Sequence, residues 1–112
     1  MMAVLLLSGL LVDCRSRSAA TVSLAQLAAK QDAYAGRLVD TIGTVRSFLD
    51  ASSRYYVIED AHQNRVELLP GRLVSRYVGR RVEVTGKFEF DERSGRFIAI
   101  EEIVPLTPGS AG

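Results

Sequence analysis

Four residues along the middle of the chain carry the most readable chemistry: Arg46, Phe48, Tyr55 and Arg65. Around them apolar and polar residues alternate with period two, so side chains two positions apart share one face of a strand. With Val39, Thr41, Gly43 and Val45 turned inward, Thr44, Arg46 and Phe48 turn outward. By the same rule Tyr56, Ile58, Val66 and Leu68 inward leave Tyr55, Val57, Arg65 and Glu67 outward. Rings stack on bases for about 1–3 kcal/mol each and guanidinium groups neutralise phosphates, which is the equipment for a single nucleic-acid strand. Arg54, Arg93 and Arg96 stand beside expected turns and extend the basic track. The plainer alternative is that Phe48 and Tyr55 cover the sheet beneath an N-terminal helix, with arginine an ordinary occupant of exposed strands.

Other chemistry finds less support. Arg72, Arg76, Arg80 and Arg81 form a second basic cluster with no acidic residue between them. Such a cluster meets anionic lipid or phosphate, at about 1 kcal/mol per residue near a charged membrane surface, or is a solvated helix face. His62 lies in a turn with no Ser or Cys partner. The acidic pairs Glu59-Asp60, Asp91-Glu92 and Glu101-Glu102 would suit a metal-dependent nuclease, but neighbours on a strand point to opposite faces. No G-x-S-x-G elbow, P-loop or H-E-x-x-H motif is present. A single Cys excludes an internal disulfide, and with a single His it leaves no soft ligand set for structural zinc. A net charge of +1 argues against a protein that coats nucleic acid indiscriminately. The expectation is a binding protein, not an enzyme, with no cofactor, no metal and no catalytic residues.

The elements that position these groups follow from periodicity. At 112 residues the chain is one domain, with its core resting on aliphatic side chains because Trp is absent. Residues 3–12 are uncharged. As a helix they would span about 15 Å, half the hydrocarbon core of a bilayer, which is the length of a signal-peptide apolar segment rather than a membrane span. Residues 15–22 are small, polar and basic, and read as a tether. Ser23 and Gln26 make a capping box, with Val22 and Leu27 as a hydrophobic staple, so a helix is expected over residues 24–33 with Gly36 as its stop. Strands are expected over 38–48, 55–59, 65–69, 82–90 and 96–104, with a short helix within 72–78. Asn64 is expected in a left-handed turn, and the broken alternation at Glu101-Glu102-Ile103 predicts a bulge. Gly43 and Gly86, each in mid-strand, permit tight bending. Residues 107–112 form a tail.

Five strands with a short helix between the third and fourth is the order of the all-β OB-fold, a five-stranded Greek-key barrel, here with an added N-terminal helix. The runs G-R-L-V-D-T-I-G-T-V (36–45), Y-Y-V-I-E-D (55–60) and V-G-R-R-V-E-V-T-G-K-F (78–88) resemble bacterial OB-fold proteins of the nucleic-acid-binding type, some of them exported or lipoproteins. The resemblance covers residues 24–106 and implies a ligand face on strands two and three, flanked by loops 49–54 and 91–95. Cys14, two residues beyond the apolar run, resembles the lipidated cysteine of a bacterial lipoprotein signal. The implied organisation is a signal-like segment over 1–14, a tether over 15–22, an OB-fold domain over 23–106 and a tail over 107–112. The implied protein resides in the cell envelope or periplasm, anchored to a membrane through lipid on Cys14. It would bind a single-stranded nucleic acid or another anionic oligomer through Arg46, Phe48, Arg54, Tyr55, Arg65, Arg93 and Arg96. The alternative is an envelope protein-interaction or structural module with no nucleic-acid ligand.

Overall fold

The computed structural model describes residues 18–51 and 53–107. Among them the chain builds β1 (Ala20–Thr21), α1 (Leu24–Ala29), α2 (Gln31–Tyr34), β2 (Arg37–Asp50), β3 (Ser53–Glu59), β4 (Arg65–Leu69), β5 (Arg81–Asp91) and β6 (Gly95–Pro105). Two 3-10 turns, Gly71–Leu73 and Ser75–Tyr77, connect β4 to β5. The protein is all-β in character: a six-stranded sheet carrying two short helices. Cys14 and residues 108–112 lie outside the described residues.

β2 organises the sheet because its 14 residues are long enough to serve two partners. Its first half, Arg37 to Thr44, runs antiparallel to β5, and its second half, Thr44 to Asp50, runs antiparallel to β3. β3 pairs with β4, β4 lies parallel to β6, and β6 pairs antiparallel with β5. The contact between β2 and the chain leading into β5 is extended by Val45, whose N–H bonds the Arg80 carbonyl while its carbonyl accepts from Gly79.

The inward faces follow the sequence alternation. Val39, Val45, Ile58, Val66, Leu68, Val82, Val84, Phe88 and Ile98 are buried in one cluster, with Leu24 and Leu27 of α1 inserted among them. Ser23 and Gln26 form the expected capping box, the Gln26 N–H donating to Ser23 Oγ at 3.1 Å and the Ser23 N–H donating to Gln26 Oε1 at 3.1 Å. Two mid-strand glycines let the layers approach closely. At Gly86 a Cβ would meet the Ala99 carbonyl oxygen and lie 2.7 Å from Ile98 Cγ2; at Gly43 it would lie 2.8 Å from Ile58 and 2.9 Å from Leu24. The bulge falls where the alternation breaks, since Thr85 pairs with Glu102 and Gly86 with Ile100, leaving Glu101 as the extra residue.

Several elements differ from expectation. The helix over 24–33 is two pieces divided at Lys30, whose φ of −128° is not helical; Gln31, the next position in register with Leu24 and Leu27, is polar and gives a continuing helix nothing to bury. Ala20–Thr21, within the stretch read as a tether, is a sixth strand parallel to β2 at Val39 and Asp40, fastened by the Val22 N–H on the Asp40 carbonyl and by burial of Val22. The short helix between β4 and β5 is the pair of 3-10 turns, with Val74 buried between them. Gln63, not Asn64, takes the positive φ of 66° in the β3–β4 turn, because Asn64 is held by Asp60. The loop over 49–54 contracts to the tip of a hairpin, since pairing persists to Asp50 opposite Ser53. No described helix is long and apolar enough to cross a membrane.

Candidate ligand-binding face

On the outer side of β2, β3 and β4, the side chains of Arg46, Phe48, Tyr55, Val57, Glu59, Arg65 and Glu67 share a surface, and pairing sets their neighbours. Phe48 lies opposite Tyr55, Arg46 opposite Val57, Val57 opposite Glu67, and Glu59 opposite Arg65. Glu67 is followed across the sheet by Phe97 of β6. The Phe48 and Tyr55 ring centroids stand 5.7 Å apart with the planes tilted by 31°, within the separation at which aromatic pairs attract. The Arg65 guanidinium carbon lies 4.7 Å from the centre of the Phe48 ring, within cation–π range.

That contact requires Arg65, on β4, to reach across β3 to β2. Val57 of β3 lies on the same face. The side chain points outward as the alternation requires, yet it is 4% exposed and stands apart from the core cluster. Its neighbours across the sheet are Arg46 on β2 and Glu67 on β4, long side chains of the kind that cover apolar surface while their heads stay in water.

Glu59 sits between the two arginines. Its Oε1 accepts from Arg46 Nε at 3.1 Å and its Oε2 from Arg65 Nε at 2.6 Å. The hydrogen bond from Arg65 is the largest influence on its pKa; burial opposes it and Arg46 adds to it, and the carboxyl is held below its ordinary range. Each guanidinium is gripped by its Nε, and the Arg46 and Arg65 side chains remain 53% and 45% exposed. Glu59 therefore fixes both planar groups against the sheet while leaving their outer edges open to a ligand. Glu67, on the same face, is raised above the ordinary carboxylate range by burial.

Of the residues expected to bind, the structure gathers Arg46, Phe48, Tyr55 and Arg65 and separates the other three. Arg54 lies on the opposite side of the hairpin from Tyr55, its Nη1 donating to Ser47 Oγ at 3.0 Å. Its position one residue from Tyr55 on the same strand dictates that side. Arg96 is turned inward and ties α2 to the sheet, donating to Gln31 Oε1 at 3.1 Å and to the Arg65 carbonyl at 3.4 Å. Arg93 is exposed in the turn after β5, where its backbone N–H donates to Asp91. Phe48 and Tyr55 are not covered by α1, whose Leu24 and Leu27 are spent on the core.

Glu59 was legible only as half of an acidic pair, and nothing in the sequence marks it as the link between two arginines. Its neighbour Asp60 has a different task. Burial pushes its pKa up, but hydrogen bonds from Asn64 and from the His62 N–H outweigh this and hold it low, so it caps the β3–β4 turn. A cleft of about 400 Å³ adjoins the face, lined in part by Thr44, Arg46, Glu59, Asp60 and Arg81. Arg81 thus lines the same cleft as Arg46.

On the far half of β2 the arrangement reverses. Asp40, Glu83 and Glu102 come together from three strands, Asp40 accepting from Thr85 Oγ1 at 2.9 Å. The hydrogen bond and charge of Asp40 raise the pKa of Glu83, with burial and Glu102 adding to the shift. Among the described residues no group of three or more His, Cys, Asp or Glu side chains is arranged to hold a metal ion. The chain matches no protein-family model and no curated protein.

Proposed function

We propose that the domain is an OB-fold that binds single-stranded nucleic acid, non-enzymatically, on the outer face of β2, β3 and β4. Supporting the fold reading is the pairing order β2-β3-β4-β6-β5 with β5 returning to β2, so that each of these five strands has a neighbour on both sides. The parallel β4–β6 pair and the connection between β4 and β5 fit the same topology. The mid-strand glycines and the bulge at Glu101 are devices by which a sheet curls.

The observation that carries the ligand reading is the joined set of Phe48, Tyr55 and Arg65: two rings in contact, with a guanidinium over one of them. Bases stack on such rings irrespective of sequence, while Arg46 and Arg65 meet phosphates with their free edges. Fluorescence anisotropy with a labelled oligonucleotide of about 10 nucleotides, near one OB-fold site size, tests the reading. Binding should weaken steeply with salt, by a slope of about −0.7 for each phosphate neutralised. A flat signal at low salt would remove it.

A second reading is favoured by one observation. Glu59 offsets both arginines of the face, and Glu67 adds another carboxylate, so this surface is close to neutral. That balance also suits an envelope protein partner, which a crosslinking pulldown from membranes would reveal. In either reading the chain is exported and held to a membrane by lipid on Cys14. Metabolic labelling with a fatty acid should mark the parent chain and not Cys14→Ala.

A further inference from the structure

We infer that Glu67 selects among nucleobases, favouring those with an exocyclic amino group (cytosine, adenine, guanine) over thymine and uracil. The inference rests on the single-strand reading of the same face. Glu67 lies in register between Val57 on β3 and Phe97 on β6, two residues along β4 from Arg65. Tyr55 is on the neighbouring strand, two residues from Val57 on the same side, so a base resting on the Phe48–Tyr55 pair presents its edge toward Glu67.

Glu67 differs from the other charges of this face in having no partner. Arg46 and Arg65 are both bonded to Glu59, whereas Glu67 makes no hydrogen bond or ion pair among the described residues. It is nonetheless half-buried, with apolar neighbours on either side. A carboxylate partly withdrawn from water and left unbonded costs free energy that a donor supplied by the ligand would offset. Ionised, it can only accept. The amino group of cytosine is a natural donor to it, as are those of adenine and guanine. Thymine and uracil offer one N–H flanked by two carbonyl oxygens, which a carboxylate repels.

The test compares labelled oligo-dC and oligo-dT of equal length, pyrimidines of similar size, at one salt concentration. The wild-type protein should bind oligo-dC at least about tenfold more tightly, the lower end of what one hydrogen bond to a charged acceptor is worth. Glu67→Gln, which both accepts and donates, should bring the ratio close to one while leaving the salt slope unchanged and the melting temperature no lower, since an unbonded half-buried carboxylate is removed. Equal wild-type affinities for the two oligomers overturn the inference and leave the single-strand reading standing, as does a preference that persists in Glu67→Gln. Failure of the wild-type protein to bind either oligomer overturns both.

Discussion

One long strand, β2, contributes to two outward surfaces with different electrostatics, one balanced and one acidic. Along its second half, Arg46 and Phe48 join a face where a single carboxylate, Glu59, is clasped by two guanidinium groups. Along its first half, Asp40 joins Glu83 and Glu102, and among the described residues no cation is bonded to the group. The first surface is fastened by its charges and the second is loaded by them. Their responses to acid therefore differ in sign. Glu59 has a lowered folded pKa, so its contribution to stability is present above the ordinary glutamate range and is lost as the pH falls through the folded value. Glu83 has a raised folded pKa, so folding favours its protonated form. Its contribution is greatest below the ordinary range and declines as the pH rises through the folded value. Mild acid thus relaxes the carboxylate surface before it loosens the arginine one.

The contrast can be broken or sharpened by substitution. The largest effect is expected beneath the carboxylate surface, at Gly86. Gly86→Ala drives a Cβ into the Ala99 backbone, which has no rotamer by which to yield, and should cost about 3 kcal/mol in urea melts. Gly43→Ala meets Ile58 Cγ1, the end of Leu24 and the Glu59 carbonyl oxygen, all at 2.8–2.9 Å, a milder overlap than at Gly86, and should cost less. Equal losses would contradict this ordering. Next comes Tyr55→Ala, which should reduce single-strand affinity about tenfold through lost stacking, with little change in melting temperature. A similar loss in Glu83→Gln would show that the two surfaces are not functionally distinct.

Glu59→Ala tests whether the clasp positions the arginines or competes with the ligand. It should lower stability by about 1 kcal/mol in urea melts, as both ion pairs are partly exposed. It should also weaken binding, because Arg46 and Arg65 lose their fixed orientation, although the face has become more positive. Tighter binding would mean that Glu59 acts as a rival anion. The smallest effect belongs to Glu83→Gln, which should raise the melting temperature at pH 7 by about 2–4 °C, the equivalent of ~0.5 kcal/mol in a domain of this size. It should also flatten the decline of stability with rising pH; an unchanged profile would show that Asp40 does not load Glu83.

Legibility varied with the range of the interaction. Outwardness of Arg46, Phe48, Tyr55 and Arg65 was visible in the alternation, as were the capping box at Ser23 and the irregularity at Glu101. Arg54 obeys the same rule: its parity turns it to the other side of the hairpin from Tyr55, and standing beside a turn does not bring it to the face. Arg96 and Phe97 were harder, since nothing local reveals that α2 waits beside one or that Glu67 flanks the other.

What this chain determines by itself is the side of each strand on which a residue stands, because a period of two depends only on neighbouring residues and on which of them are apolar. Which groups then meet was decided by the tertiary structure. Glu59 reaches Arg46 across 13 positions of sequence, Asp40 meets Thr85 across 45, and Arg96 meets Gln31 across 65. Those meetings depend on strand order and register, which are set by how the whole apolar face closes around Phe88 and its neighbours. Parity is a local property of the backbone; partnership is a property of the packed sheet.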